Sequence, residues 1–245
     1  MSNAHLCAIG VMAKAPRAGR SKTRLCPPLT PEQAAALSAG FLRDVTENIV
    51  SAAQLAPIQG LIAHAPAGSA ALFDGHLAEG TGFVLADGAI DAPSGVVGFG
   101  RCLLHAIQGM FDAGFGAACV LNSDSPTLPT AYLARAASLL LSGGDRVVLG
   151  PAEDGGYYLL GMTAPHARLF ANIAWSTETV AAATRARIAA LGLETVELPT
   201  WYDVDEAAAL DRLTNELANP GDGLAAPATA AVLRRMGLGM VRNAA

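Results

Sequence analysis

Residues 6–24 read Leu-Cys-Ala-Ile-Gly-Val-Met-Ala-Lys-Ala-Pro-Arg-Ala-Gly-Arg-Ser-Lys-Thr-Arg. An apolar run, Leu6 to Met12, gives way to a loop, Lys14 to Arg24, that carries five of the sixteen basic residues. The run suits a buried first strand over His5 to Met12. A buried strand that opens onto a cationic loop fits an open α/β sheet, whose ligands bind beyond the carboxyl ends of the strands.

Both lysines of the chain, Lys14 and Lys22, lie in that loop. An ammonium meets phosphate as a point charge, and a guanidinium grips two phosphate oxygens at once, so the mixture suits a polyphosphate. Ala18 and Gly19 leave the backbone bare enough for main-chain amides to reach an anion. A solvated basic loop is the plain alternative. Two phosphate fingerprints fail: Ser21 stands where a Walker loop needs glycine before Lys22-Thr23, and no G-x-G-x-x-G follows the strand.

Outward from the loop, helical and strand patterns alternate. Thr30-Pro31-Glu32-Gln33 supplies an N-cap, a first-turn proline and a capping-box glutamine for a helix to about Ala53. Strands are expected at Ile58–Ala63, Phe83–Ala86, Ala117–Leu121, Arg146–Leu149 and Glu194–Leu198. Helices are expected at Ala67–Leu77, Phe99–Ala113, Pro129–Ser142, from Ser176 or Thr177 to Leu191, and at Glu206–Leu217. Asp87–Gly98 reads as a surface loop, and Tyr157–Met162 as a further apolar stretch. This order predicts a mainly parallel sheet covered on both faces. Asn219-Pro220-Gly221-Asp222-Gly223 reads as a linker. Residues 1–218 then form one domain, and 219–245 carry a terminal helix, Pro227–Met236, that packs on the body or on a second subunit, which permits a homodimer.

With 245 residues, 52% apolar and 15% charged, the chain can build a substantial core. A net charge of −5 argues against nucleic acid as a partner. Cys7, Cys26, Cys102 and Cys119 show no metal-binding spacing, and a reducing cytoplasm is expected. Leu6–Met12 is far short of the roughly 18 apolar residues of a membrane span. The early charges follow this run, the reverse of a secretory signal.

Two further constellations point to chemistry. Asp124, where the fourth strand emerges beside Asn122 and Ser123, suits Mg2+, which takes one or two carboxylates and fills its remaining positions with water and phosphate oxygens. A turn or helix cap is the alternative there. In Asp203-Val204-Asp205, an extended backbone turns both carboxylates the same way, toward one ion; Asp205 could instead cap the following helix. Asp154-Gly155-Gly156 reads first as a tight turn. The five histidines lack ligand spacing.

The chain resembles, over nearly its whole length to about Leu217, the bacterial glycosyltransferase-A-type transferases associated with radical-SAM/selenodomain proteins. These are relatives of phospholactate guanylyltransferase and molybdenum-cofactor guanylyltransferase. The likeness is carried by Lys14-Ala15-Pro16 with Gly19 and Lys22-Thr23-Arg24-Leu25, by Ser123 to Leu128, by Gly150 to Tyr158, by Trp175-Ser176-Thr177 and by Tyr202 to Asp205. It implies a single Rossmann-like, three-layer α/β domain with a mixed, mainly parallel sheet, the nucleotide-diphospho-sugar transferase fold. It implies Mg2+ or Mn2+ on Asp124, Asp203 and Asp205, and nucleotide phosphates held by Lys14, Lys22 and Arg24, with Gly19 and Thr23 in the same loop. Asp154, Gly155, Gly156 and Tyr157 would border the acceptor. Two departures stand out: of the family's Gly-Asp-Leu-Gly-x-Arg run only Gly100 remains within Ser94 to Cys102, and Asn122-Ser123-Asp124 keeps one carboxylate of an Asp-x-Asp.

The expected reaction is nucleotidyl transfer from a nucleoside triphosphate to a small phosphorylated or anionic acceptor, with Lys22, Asp124 and Asp154 as catalytic groups. The alternatives are glycosyl transfer from a nucleotide-diphospho-sugar, with Asp154 as base, and a non-catalytic nucleotide-binding protein.

Overall fold

Strand β1 (Cys7–Met12) shows why the sheet is covered on both sides. Cys7, Ile9 and Val11 pack with one hydrophobic cluster and Ala8 with another, and all four are fully buried. Successive side chains of a strand point to opposite faces, so an unbroken apolar run needs helices on both. The structure, a computed structural model, describes residues 2–219, 221 and 223–238. Positions 220 and 222 of the expected linker lie outside them.

Six further strands join β1: β2 (Ile58–His64), β3 (Gly82–Leu85), β4 (Ala117–Asn122), β5 (Arg146–Pro151), β6 (Tyr157–Met162) and β7 (Glu194–Glu197). Their order across the sheet is β3-β2-β1-β4-β6-β5-β7. Only β6 runs antiparallel to its neighbours β4 and β5. This is a single α/β domain with a mixed, mostly parallel sheet, as expected. The stretch Tyr157–Met162 is the strand that makes the sheet mixed.

Helices α1 (Pro31–Ala52) and α3 (Thr130–Leu141) cover one face, through Leu42, Val45, Ile49, Leu133 and Leu140. Helices α2 (Phe99–Asp112) and α4 (Val180–Ala190) cover the other, through Leu103, Ile107, Met110 and Ile188. The capping box forms as its residues dictate: the Gln33 amide donates to Thr30 Oγ1 at 3.2 Å, and the Thr30 amide donates to Gln33 Oε1 at 2.9 Å. Each bond satisfies a donor that the first turn leaves free.

Helices α5 (Ala207–Ala218) and α6 (Pro227–Arg235) form a third cluster with α1, built on Leu37, Phe41, Leu210, Leu213, Val232 and Leu233. Asp44 of α1 accepts the Ala228 and Thr229 amides at 2.9 and 2.7 Å, satisfying the start of α6 from across the interface. Of the two placements expected for this helix, the structure has the one against the body. No helix among the described residues is long and apolar enough to cross a membrane.

Three local expectations differ. Ala67–Leu77 makes only a 3-10 turn, Ala70–Phe73, because Gly68 and Gly75 hold left-handed backbone on either side. Helix α4 starts three residues beyond Thr177, whose hydroxyl donates to the Ala174 carbonyl at 2.7 Å. Asp205 does not cap α5; Glu206 takes the cap position without a side-chain bond.

Candidate active site

The site lies at the carboxyl ends of the strands, where the chain order reverses. β1 pairs with β2 on one side and with β4 on the other, and Met12 stands opposite Asn122 in the parallel register. Lys14 and Asp124 each follow two residues later, so the register itself sets the basic loop beside the acidic turn. Such a reversal in an open sheet leaves a crevice.

A cavity of about 400 Å3 occupies it, lined by Lys14, Arg20, Lys22, Thr23, Arg24, Asp124 and Asp205 among others. Small side chains at the ends of β2 and β3, Ala63, Ala65 and Ala86, keep its far side open. Gly19 does not line it; its positive φ of 72° serves the bend of the loop. Amides of the loop are partly spent internally: Arg17 donates to Ser21 Oγ, and Arg20 and Ser21 to the Arg17 carbonyl, each at 3.0 Å. Side-chain cations, more than a backbone nest, therefore face the cavity.

The late acidic segment is stitched to the Asp124 turn. The Val204 amide donates to the Asp124 carbonyl and Ser125 Oγ to the Tyr202 carbonyl, both at 2.8 Å. Val204 is fully buried, which turns its neighbours outward. Asp124 and Asp205 thereby come together, but on an internal cation. Lys22 Nζ stands 2.7 Å from Asp124 Oδ1, 2.7 Å from Asp205 Oδ1 and 2.8 Å from the Val204 carbonyl oxygen. The Phe41 ring lies 5.3 Å from the same ammonium.

An ammonium has three donors, and three oxygens within hydrogen-bonding reach account for them. Burial pulls Lys22 toward its neutral form, but the Asp124 and Asp205 charges outweigh it and hold its titration above the ordinary lysine range. Burial likewise raises Asp205, and the Lys22 and Arg24 charges bring it below the usual carboxylate range. Lys22 adopts a left-handed backbone, φ 49°, which costs a non-glycine residue about 1 kcal/mol or more. The ion pairs offset that strain.

The expected trio of Asp124, Asp203 and Asp205 is not drawn to one point. Among the described residues no three His, Cys, Asp or Glu side chains are grouped to hold a metal ion. Asp203 lines a separate hollow with Glu153, Asp154 and Asp205. Burial, then the charges of Asp154, Asp205 and Asp124, push its carboxyl up to about 6. Two carboxylate oxygens and a carbonyl do converge, and such a hard oxygen set suits Mg2+ or Mn2+. The chemistry of the donors fits, but the point of convergence belongs to Lys22.

A second cavity, about 650 Å3, adjoins the first and shares Arg24, Phe99 and Asp205 with it. Asp154, Gly156, Tyr157, Trp175, Ser176, Thr177 and Glu178 complete its wall. The Gly156 amide donates to Asp154 Oδ1 at 2.8 Å, the tight turn expected, and the turn holds that carboxylate at the cavity edge. Gly155 is not part of the wall. Its φ is 88° and a Cβ there would lie 2.0 Å from the Glu178 carbonyl oxygen, so only glycine lets the turn meet the 176–178 loop.

Trp175 and Phe99 meet edge to face, ring centres 5.6 Å apart. They can do so because helix α2 presents Gly100 to the indole, where a Cβ would stand 3.0 Å from the ring. Neither aromatic, nor Arg20, stood out in the sequence as a site residue. One usable signal was Gly98-Phe99-Gly100: a large apolar side chain between glycines, left 49% exposed at a helix start.

Comparison with known proteins places the architecture. A protein from Desulfovibrio desulfuricans G20, provisionally described as a nucleotide-diphospho-sugar transferase, superposes with a TM-score of 0.77. Its identity is 26%, and the match covers 98% of this chain and 100% of that one. A nucleotidyl transferase from Methanothermobacter thermautotroptrophicus superposes with a TM-score of 0.53 at 15% identity, over 88% of this chain and 99% of that one, a likeness of fold alone. The fold is thus the nucleotide-diphospho-sugar transferase fold, and the structural neighbours are transferases. No curated protein matches the sequence. Residues 49–177 match the family model DUF2064, described as "Uncharacterized protein conserved in bacteria", and the chain belongs to that family.

Proposed function

We propose that the protein is a glycosyltransferase that moves a sugar from a nucleotide-diphospho-sugar to a neutral, hydroxylated acceptor. The carrying observation is the pair of adjoining cavities with opposite character that share Arg24, Phe99 and Asp205. Lys14, Arg20 and Arg24 supply charge for a diphosphate in the first. In the second, Trp175 and Phe99 offer an apolar platform, and Asp154 and Glu178 outnumber Arg24. A phosphorylated acceptor would meet carboxylates there. A neutral hydroxyl compound would find hydrogen-bond acceptors and a ring to rest on.

In this reading the acceptor oxygen attacks the anomeric carbon, the carbon–oxygen bond to the diphosphate breaks, and the diphosphate leaves with the electron pair. Asp154 takes the proton of the acceptor hydroxyl. Arg24, its side chain 66% exposed between the two cavities, is placed to follow the charge onto the departing phosphate. Asp124 and Asp205 would hold a divalent cation, which when bound neutralises part of the same charge. The kinship with radical-SAM/selenodomain-associated transferases, carried by the motifs, is part of this proposal.

Nucleotidyl transfer from a triphosphate is the second reading. The four cations lining the donor cavity, Lys14, Arg20, Lys22 and Arg24, favour it. One feature counts against it as first choice: the second cavity is acidic where a phosphorylated acceptor would need cations. A panel of nucleotide-sugars and triphosphates, each offered with neutral polyols and with sugar phosphates, separates the readings. Nucleoside diphosphate released in the presence of a polyol supports glycosyl transfer. Pyrophosphate released with a sugar phosphate overturns it.

A further inference from the structure

The Asp124–Asp205 pair already holds a cation, and it comes from the chain itself. Three oxygens, Asp124 Oδ1, Asp205 Oδ1 and the Val204 carbonyl, surround Lys22 Nζ at 2.7, 2.7 and 2.8 Å. They are the hard donors that a divalent ion would use, at the shorter distance of about 2.1 Å. An ammonium and a dication cannot share one point: the two positive charges would repel in a place where the Lys22 side chain is only 6% exposed.

The rest of the loop is built to let go as well as to hold. Lys22 sits in a left-handed conformation, so its backbone gains by relaxing. Its side chain lines the donor cavity beside Lys14, Arg20 and Arg24. An ammonium displaced from the carboxylates therefore has a destination within reach, the phosphates of whatever occupies that cavity.

We infer that Lys22 and a divalent cation are alternative occupants of the Asp124–Asp205 pair, exchanging when the metal binds so that Lys22 passes to the donor phosphates. The inference rests on the reading of the basic cavity as a donor site, and its test uses no donor and no turnover. By linkage, a phosphate ligand that draws Lys22 away strengthens metal binding, and metal strengthens phosphate binding by the same factor.

With only two lysines in the chain, amine labelling of the full-length protein read by mass spectrometry reports on Lys22 with Lys14 as an internal control. Without metal, Lys22 is expected to label at least about tenfold more slowly than Lys14, because its ammonium is held by two carboxylates. Saturating Mn2+ is expected to raise the Lys22 rate several-fold and leave Lys14 unchanged. In parallel, Mn2+ binding followed by electron paramagnetic resonance is expected to tighten about tenfold or more in Lys22→Met, and to weaken again when Asp124→Asn is added. Lys22→Gln replaces the methionine variant if that does not fold. Equal Mn2+ affinity in wild type and variant, including no binding by either, overturns the exchange. So does a Lys22 labelling rate that stays low once Mn2+ is bound. Failure of the transferase reading would show instead as absence of product in the substrate panel.

Discussion

The two cavities are made by different devices, although they share a wall. The first cavity, the donor side of the proposed reading, is assembled from the ends of β1, β2 and β4 together with Ala86, just past the end of β3, and its geometry follows from parallel register. Its net character comes from the cations of one loop. The second cavity, the acceptor side of the proposed reading, depends on the β5–β6 turn and on the 175–178 loop, two segments that touch only because Gly155 has no side chain. A cavity carried by a sheet edge keeps its shape when one side chain changes. One carried by two touching loops depends on each contact, so perturbations should separate cleanly between the two regions.

The largest separation is expected for Gly155→Ala. A methyl 2.0 Å from a backbone oxygen, at a φ of 88°, forces the turn and the 176–178 loop apart, and a loss of at least about 2 kcal/mol should appear in urea unfolding. Nucleoside diphosphate affinity, read by calorimetry, should stay within about twofold because the donor cavity does not use this turn. Equal losses on both sides would erase the distinction.

Asp124→Asn comes next. It should lower turnover by at least about a hundredfold and, because Lys22 loses one of its two carboxylates, reduce stability by about 1–2 kcal/mol. Trp175→Ala should raise the acceptor KM about tenfold with donor KM unchanged; a rise in donor KM instead would place the indole on the wrong side. Lys14→Ala should weaken nucleoside diphosphate binding about five- to tenfold, and less at high salt.

The smallest effect concerns Asp203. Its carboxyl titrates at about 6 in the native protein against 3.8 as the ordinary value. Below about pH 4 both states are protonated and nothing is lost. As pH rises from 4 through 6 the unfolded chain releases the proton first, so native stability declines, and above 6 the full penalty applies. Asp203→Asn should therefore stabilise the metal-free protein above pH 6, by about 1 kcal/mol once solvent screening is allowed for, and have no effect near pH 4. Chemical denaturation at the two pH values checks the sign.

Most of the fold could be read in the chain because local signals agreed with tertiary need. The run Leu6–Met12 read as a buried strand, and Cys7–Val11 of it are buried; Thr30 and Gln33 looked like a reciprocal cap and are. Where a signal was merely local, tertiary context decided. The expected helix Ala67–Leu77 contains Gly68 and Gly75 and is reduced to one 3-10 turn between them. In the site, the residue types of the donor cavity were legible because cations cluster in one segment. What was not legible was pairing across distance: the identity of the partner that satisfies Lys22 lies 102 and 183 residues away, and no spacing in the sequence encodes it. The Phe99–Trp175 platform was hidden for the same reason, since it depends on the missing side chain of Gly100.

Hydrogen exchange with each of the four common ribonucleoside diphosphates in turn, in Mn2+, tests the division of the site most directly. The account predicts new protection confined to residues 13–25 and 123–125, with 154–157 and 175–178 exchanging as before until an acceptor is added. Protection of the 154–157 and 175–178 segments by a nucleoside diphosphate alone, or of neither region by any of the four, would contradict it.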